Sequence, residues 1–208
     1  MSRHDNQPWM GAGAPGESQD IPLGRSFVPS VPRRVFLTKG VGRDREKLSS
    51  FEAALRDAGV AHCNLVRVSS ILPPGARIIP TTAGLQLLHP GEITYAVMAE
   101  IATNEPHQLV AASIGIAVPR DNSQHGYLSE HHGFGEKSKE AGDYAEDLAA
   151  QMLASTIGVP FDLDRAYDER KEQYKVGGLI VKTRNATQSA VGDKAGRWTT
   201  VLAAAVFV

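Results

Sequence analysis

Cysteine occurs once in the chain, at Cys63, so neither an internal disulfide framework nor a CxxC metal pair is available. A reducing compartment, the cytoplasm by default, is the expected setting. Neither sign of charge dominates: 22 basic residues stand against 23 acidic ones with no Lys/Arg run, so the electrostatic footprint of a nucleic-acid or anionic-membrane binder is absent. No apolar stretch is long enough to span a bilayer, and the opening MSRHDNQPWMGAGAPGESQD lacks the apolar core of a signal peptide. Also missing are GxGxxG and GxxxxGKS/T, which seat phosphates at a helix N-terminus, and the GxSxG elbow of the α/β-hydrolases. There is no internal repeat. What is present is a globular composition, 42% hydrophobic and 22% charged over 208 residues, enough for one sizeable core.

Residues 1–30 are rich in Gly, Pro, Ser and charge without an apolar period, and they predict a flexible or draped extension ahead of a single domain over 31–208. RVFLTKGVG reads as a strand. EKLSSFEAALRDAGV reads as a helix with Leu48, Phe51, Leu55 and Ala58 on one face and Gly59 as its stop. CNLVRVSSI is a further strand. EITYAVMAEIAT and HQLVAASIGIAVPR, separated by NEP, predict a long antiparallel hairpin, followed by a strand at GYLSEHHGFG. GEKSKEAGDYAEDLAAQMLASTIG predicts an amphipathic helix with Ala141, Tyr144, Leu148 and Met152 inward. QYKVGGLIVKTRN and WTTVLAAAVFV close the chain as strands. Two main helices against six or more meandering strands point to an α+β fold, with the helices covering outer faces of packed sheets.

Several stretches invite chemistry. His131 and His132 are adjacent on a strand, so they point to opposite faces, and no spaced third ligand follows; no metal is expected. GVGRD, residues 40–44, reads as a Gly-rich loop. Cys63 beside His62 could suggest a nucleophile and its base, yet strand neighbours diverge, and a buried core thiol is the simpler role. Glu130, from spacing alone, reads more simply as a solvent-facing strand residue than as a catalytic one. Glu52 lies within about 60° of Leu48 and Leu55 on a helical wheel and so borders the apolar stripe. The most unusual stretch is NLVRVSSILPPG, where a strand runs into Ser69 and Ser70 and then Pro73-Pro74. Buried hydroxyls must find partners. Either they bond backbone groups at a strand end, or one of them is a reagent.

NLVRVSSILPP, with LRDAG and FEAAL upstream, resembles the processing-site region of the pyruvoyl-dependent arginine decarboxylases. The likeness continues through PGE, SIGIAVPRD, GYLSEHHG and WTTVLAAAVF and covers residues 34–208. It implies a proenzyme that cuts itself between Ser69 and Ser70, giving a β chain of residues 1–69 and an α chain of residues 70–208 that begins with a covalent pyruvoyl group made from Ser70. On this resemblance Asn64 would donate to the oxyanion of the cleavage step, where otherwise it would only close the turn into the strand. Glu130 would be the acid that returns a proton after decarboxylation through a Schiff base. Glu52 stands where the family usually carries an aspartate against the substrate guanidinium, and Leu48 and Cys63 would line the same pocket. The implied reaction is L-arginine to agmatine and carbon dioxide, serving polyamine synthesis or acid resistance. The implied fold is a four-layer αββα sandwich of mainly antiparallel sheets, assembled as trimers or hexamers with each site at a subunit boundary. Two alternatives stand beside it: the same cofactor acting on another amino acid, and a relative that never cleaves and serves as a binding or regulatory subunit.

Overall fold

Apolar runs become strands and amphipathic runs become helices in the order β1 (Arg34–Asp44), α1 (Lys47–Asp57), β2 (Asn64–Arg67), β3 (Ile71–Leu72), β4 (Arg77–Ile79), α2 (Thr81–Leu85), β5 (Ile93–Thr103), β6 (Leu109–Pro119), β7 (Gly126–Phe134), α3 (Ser138–Thr156), β8 (Ile180–Val191) and β9 (Trp198–Phe207). The computed structural model describes residues 31–158 and 180–208. The extension expected over residues 1–30, and the part of QYKVGGLIVKTRN before residue 180, lie outside the described residues.

One sheet has the strand order β2-β5-β9-β1-β4 and the other β3-β7-β6-β8. In the first, β1 pairs with β4 and β2 with β5 in parallel, while β9 runs antiparallel to both β1 and β5. The second is antiparallel throughout. The fold is therefore α+β with mixed sheets and few helices. Val35, Val97, Ile101 and Val201 of the first sheet share a core with Leu72, Val110, Ile114 and Leu128 of the second. On the first sheet's other side, Phe36, Met98 and Leu202 meet Ala54 and Ala58 of the α1 region. Ala117 of the second sheet meets Ala149, Ala150 and Leu153 of α3.

The expected hairpin does not form. Both strands exist, but β5 pairs with β2 and β9, whereas β6 pairs with β7 and β8 in the other sheet. The burial pattern explains why: Val110 through Ala117 are all buried, as befits a strand covered on both faces. Residues 104–108, with His107 at φ 64, turn the chain from one sheet to the next.

The inward faces of both main helices meet expectation only in part: Phe51, Leu55, Ala58 and Ala141 pack inward, and other expected residues do not. In α1 the buried residues are Ser50 and Ala54, while Leu48 is 77% exposed. In α3 they include Ala141, Ala145, Ala149 and Leu153, and Tyr144 is 55% exposed. The cause lies in the strands beneath. A Cβ on Gly40 or Gly42 of β1 would run into the backbone of Ala54 or Ser50, and one on Gly115 of β6 into the backbone of Ala145. Where the helices rest on these glycines, the residues facing the sheets are small: Ser50, Ala54 and Ala145. GVGRD is accordingly part of β1 and no loop. Gly59, expected to stop the helix, does so at φ +80 just after the Ala58 cap. Cys63, expected as a core thiol, is only half-buried.

Candidate active site at the crossing between the sheets

The stretch CNLVRVSSI is not one buried strand. β2 is a four-residue edge strand, mostly exposed, whose last bond to its sheet runs from Val68 N to Ala96 O at 3.0 Å. The chain then crosses to the second sheet, where Ile71 and Leu72 lie opposite Tyr127 and Gly126. Ser69 and Ser70 are the crossing, Ser69 exposed and Ser70 half-buried. Their carbonyls are engaged: Ser69 O accepts from Ile71 N at 2.9 Å and Ser70 O from Leu128 N at 2.8 Å. Their hydroxyls have no hydrogen-bond partner among the described residues, so the account in which they bond backbone groups at a strand end is not what the local geometry provides. Downstream, Pro73 O accepts from Ala76 N at 3.1 Å, with Gly75 at φ +66, and this turn anchors the far side of the crossing.

Where β2 leaves its sheet, β5 would be left with a bare carbonyl. Arg67 fills that place, donating from Nη1 to Met98 O at 3.0 Å. Its Nη2 stands 2.8 Å from the Glu100 carboxylate, an ion pair whose alignment falls outside hydrogen-bond geometry. Sequence reading missed Arg67. Its only signal was a charge inside an otherwise apolar run, immediately before the two serines.

Glu130 lies on β7 opposite Ile114, two residues beyond Leu128. Glu130 is exposed as a residue, as a solvent-facing strand position would be, but partial desolvation of its carboxyl pushes it above the usual glutamate value, against the pull of the Arg67 guanidinium and of His132. Strand alternation puts His132 on the Glu130 side and His131 on the other, where Nε2 meets the Glu136 carboxylate at 2.6 Å and the ring lies 4.5 Å from that of Tyr144. A cleft of about 320 Å³ opens beside this face, lined by Lys47 and Phe51 of α1, Glu100 of β5, His132 and Phe134 of β7, and Thr200 of β9. Among the described residues no group of three His, Cys, Asp or Glu could hold a metal ion.

Ser70, just ahead of β3, is bonded to Leu128 of β7, and Glu130 lies two residues further along that strand. The remaining candidates lie elsewhere. Asn64 Nδ2 donates to Gly91 O at 2.8 Å at the far end of β2, which rises about 3.3 Å per residue away from the serines. Glu52 pairs with Arg56 one helical turn on. Leu48 faces outward from α1, and Cys63 packs partly against the cluster beneath that helix, with Sγ 3.7 Å from His89 O. None of the four bonds to Ser69, Ser70 or Glu130.

The family model described as pyruvoyl-dependent arginine decarboxylase matches residues 34–208. A "probable pyruvoyl-dependent arginine decarboxylase" of Chloroherpeton thalassium is 60% identical over 178 residues, covering 86% of this chain and 98% of that protein. A pyruvoyl-dependent arginine decarboxylase of Nitrosopumilus maritimus is 53% identical over 178 residues, 86% of this chain and 97% of its own length. "Pyruvoyl-dependent arginine decarboxylase 2" of Methanosarcina mazei is 53% identical with the same coverage, 86% and 97%.

Proposed function

Since the chain belongs to the pyruvoyl-dependent arginine decarboxylase family, we propose that it cuts itself between Ser69 and Ser70 and, once cut, decarboxylates L-arginine to agmatine. The observation that carries this reading is the crossing itself: two adjacent serines whose hydroxyls have no partner among the described residues, carbonyls held by backbone donors, and Glu130 two residues beyond Leu128 on the strand that holds Ser70. Ser70 Oγ forms a bond to the Ser69 carbonyl carbon as the Ser69–Ser70 C–N bond breaks and its nitrogen takes a proton, leaving an ester. Loss of the Ser70 α-proton and of the Ser69 carboxylate then gives a dehydroalanine, which water converts to a pyruvoyl group and ammonia. No oxidant or metal is consumed, so the side chains present suffice for the group's formation.

The pyruvoyl group supplies an electron sink for the carbanion left by decarboxylation. Glu130 holds the proton that the substrate's α carbon then needs, and its upward-shifted carboxyl suits a group that must stay protonated until that moment. Arg67 fixes the strand exit that sets Ser70 against β7. Asn64, Glu52, Leu48 and Cys63 are not brought to the serines within one chain, and the proposal places them in the site across a subunit boundary, with Asn64 toward the cleavage bond and Glu52 toward the guanidinium. The remainder of the proposal is a four-layer αββα sandwich over residues 31–208 preceded by an extension, assembled as a trimer or hexamer in the cytoplasm. The core clusters on both sides of each sheet support the layering. The single half-buried thiol suits a reducing compartment.

The direct test is mass spectrometry of the purified protein. Two fragments are expected, one ending at Ser69 and one whose first residue is pyruvoyl, and Ser70→Ala should leave a single folded chain. A free N-terminal serine, a cut elsewhere, or cleavage that persists in Ser70→Ala would defeat the reading.

A further inference from the structure

The bond that is proposed to break sits in a turn of three residues. Ser69 O accepts a hydrogen bond from Ile71 N at 2.9 Å, so Ser69, Ser70 and Ile71 close an i to i+2 ring with Ser70 at its centre. His107 is the one described non-glycine residue with positive φ, so Ser70 has negative φ and the turn is the inverse γ form, the less strained of the two. Ile71 N is also spared from the sheet. Bonded and non-bonded pairs alternate along an antiparallel ladder, and Leu128 N to Ser70 O makes Ser70 with Leu128 the bonded pair. Ile71, opposite Tyr127, is therefore a non-bonded position, and its N–H points away from β7. Asn64, by contrast, directs one of its two amide N–H groups to Gly91 O at the far end of β2.

We infer that the backbone N–H of Ile71 is an oxyanion donor for self-cleavage, aimed at the Ser69 carbonyl oxygen before the reaction begins. The inference rests on the self-cleavage reading and deepens it. When Ser70 Oγ adds to the Ser69 carbonyl carbon, the carbonyl π pair moves onto the oxygen that Ile71 N–H already faces. A hydrogen bond to a charged oxygen is shorter and about twice as strong as one to a neutral carbonyl, so the donor stabilises the tetrahedral state more than the starting amide. It costs no reorganisation, because the turn has already placed it. As the C–N bond breaks, the pair returns and the ester carbonyl forms. The turn thus serves two purposes: it holds the scissile carbonyl in one ring with the Cα that bears the nucleophile, and it supplies the charge-stabilising group from the next peptide along.

The test replaces one atom. The full chain is made with the α-hydroxy analogue of isoleucine at position 71, which exchanges N–H for oxygen and keeps the side chain, and conversion to two fragments is followed by gel. Removing one oxyanion donor typically slows a reaction about 100- to 1,000-fold, and a slowing of that order is expected here. The same exchange at Leu128 removes the donor to Ser70 O instead, and it should slow cleavage less than about tenfold, the scale of one ordinary hydrogen bond. If the unmodified chain cleaves and the position-71 ester stays within about tenfold of it, the inference fails while the self-cleavage reading stands. An unmodified chain that never cleaves overturns both. A second measurement does not depend on the ester folding. In the uncut Ser70→Ala chain, the Ile71 amide should exchange with deuterium at least about tenfold more slowly than in a free peptide, and exchange at the free rate overturns the inference.

Discussion

Glu130 makes the residue scale testable through its proton. Its carboxyl is shifted upward chiefly by partial desolvation, so it keeps its proton to a higher pH than a free glutamate, and turnover that needs this proton should hold below that pKa and fall as pH rises through it. By linkage, the same proton favours the folded state below that pKa, and the contribution is lost as pH rises through it. Glu130→Gln should still fold but lose about two to four orders of magnitude in kcat, since an amide delivers no proton. Agmatine formation near the parent rate by the cut variant would remove Glu130 from the site. Arg67 pulls the same carboxyl downward, so Arg67→Met should move the alkaline limb of the kcat profile to higher pH; an unmoved limb would show that Glu130 does not govern it. Glu52 carries the substrate prediction. Because Arg56 occupies its carboxylate in the free chain, a guanidinium must displace that partner. Glu52→Gln should raise KM for arginine about tenfold to a hundredfold, the worth of one charged hydrogen bond of roughly 1.5–3 kcal/mol, without slowing self-cleavage. Competition among arginine, lysine, ornithine, histidine and aspartate reads the outcome, and full arginine selectivity in the variant would end the assignment. Ser69 and Ser70 stood out in the sequence as a polar pair between an apolar strand and Pro73-Pro74, but only the family resemblance gave them a chemical role. Arg67 did not stand out, since its partner carbonyl is exposed only where β2 leaves the sheet.

At the scale of elements, Gly40, Gly42 and Gly115 decide more than any large residue. Both main helices were legible as helices, and Gly59 as a stop, from spacing alone. Their inward faces were legible only in part: Phe51, Leu55, Ala58 and Ala141 pack inward as expected. A wheel weighted by hydrophobicity also turns Leu48 and Tyr144 inward, whereas a helix lying on a glycine strand accepts small side chains where it touches the glycine, so Ser50, Ala54 and Ala145 are buried instead. The hairpin between β5 and β6 failed for a related reason: two consecutive apolar strands with a short link suit a hairpin and a sheet-to-sheet crossing alike, and only the unbroken burial of β6 tells them apart. Gly115→Ala puts a methyl group against the Ala145 backbone and the Ser129 hydroxyl, and should destabilise the fold by about 1–3 kcal/mol through overpacking. Gln151→Ala, on the exposed side of the same helix, should stay within about 0.5 kcal/mol. Denaturant melts of the two variants decide; equal midpoints would mean that α3 can lift from β6 at little cost.

On the scale of the whole molecule, the strand order β2-β5-β9-β1-β4 determines what a cut at residue 69 does to the fold. The first fragment carries β1, α1 and β2; the second carries everything after the crossing. In the first sheet, β2 and β1 of the short fragment flank β5 and β9 of the long one, so each fragment holds a gap that only the other fills. Gel filtration without denaturant should never part them. Unfolding changes the matter, because the continuous chain finds its partner strands by an intramolecular search and the cut chain must find them by collision. Recovery from denaturant should therefore fall on dilution more steeply for the cut protein than for Ser70→Ala, in which residue 70 keeps its nitrogen and the chain stays continuous. Equal dilution dependence would show that the two pieces fold independently before they meet. The interleaved strands thus give the molecule a history: it can be assembled as one chain but, after cleavage and unfolding, only as two, and the route by which it first folded is closed to it.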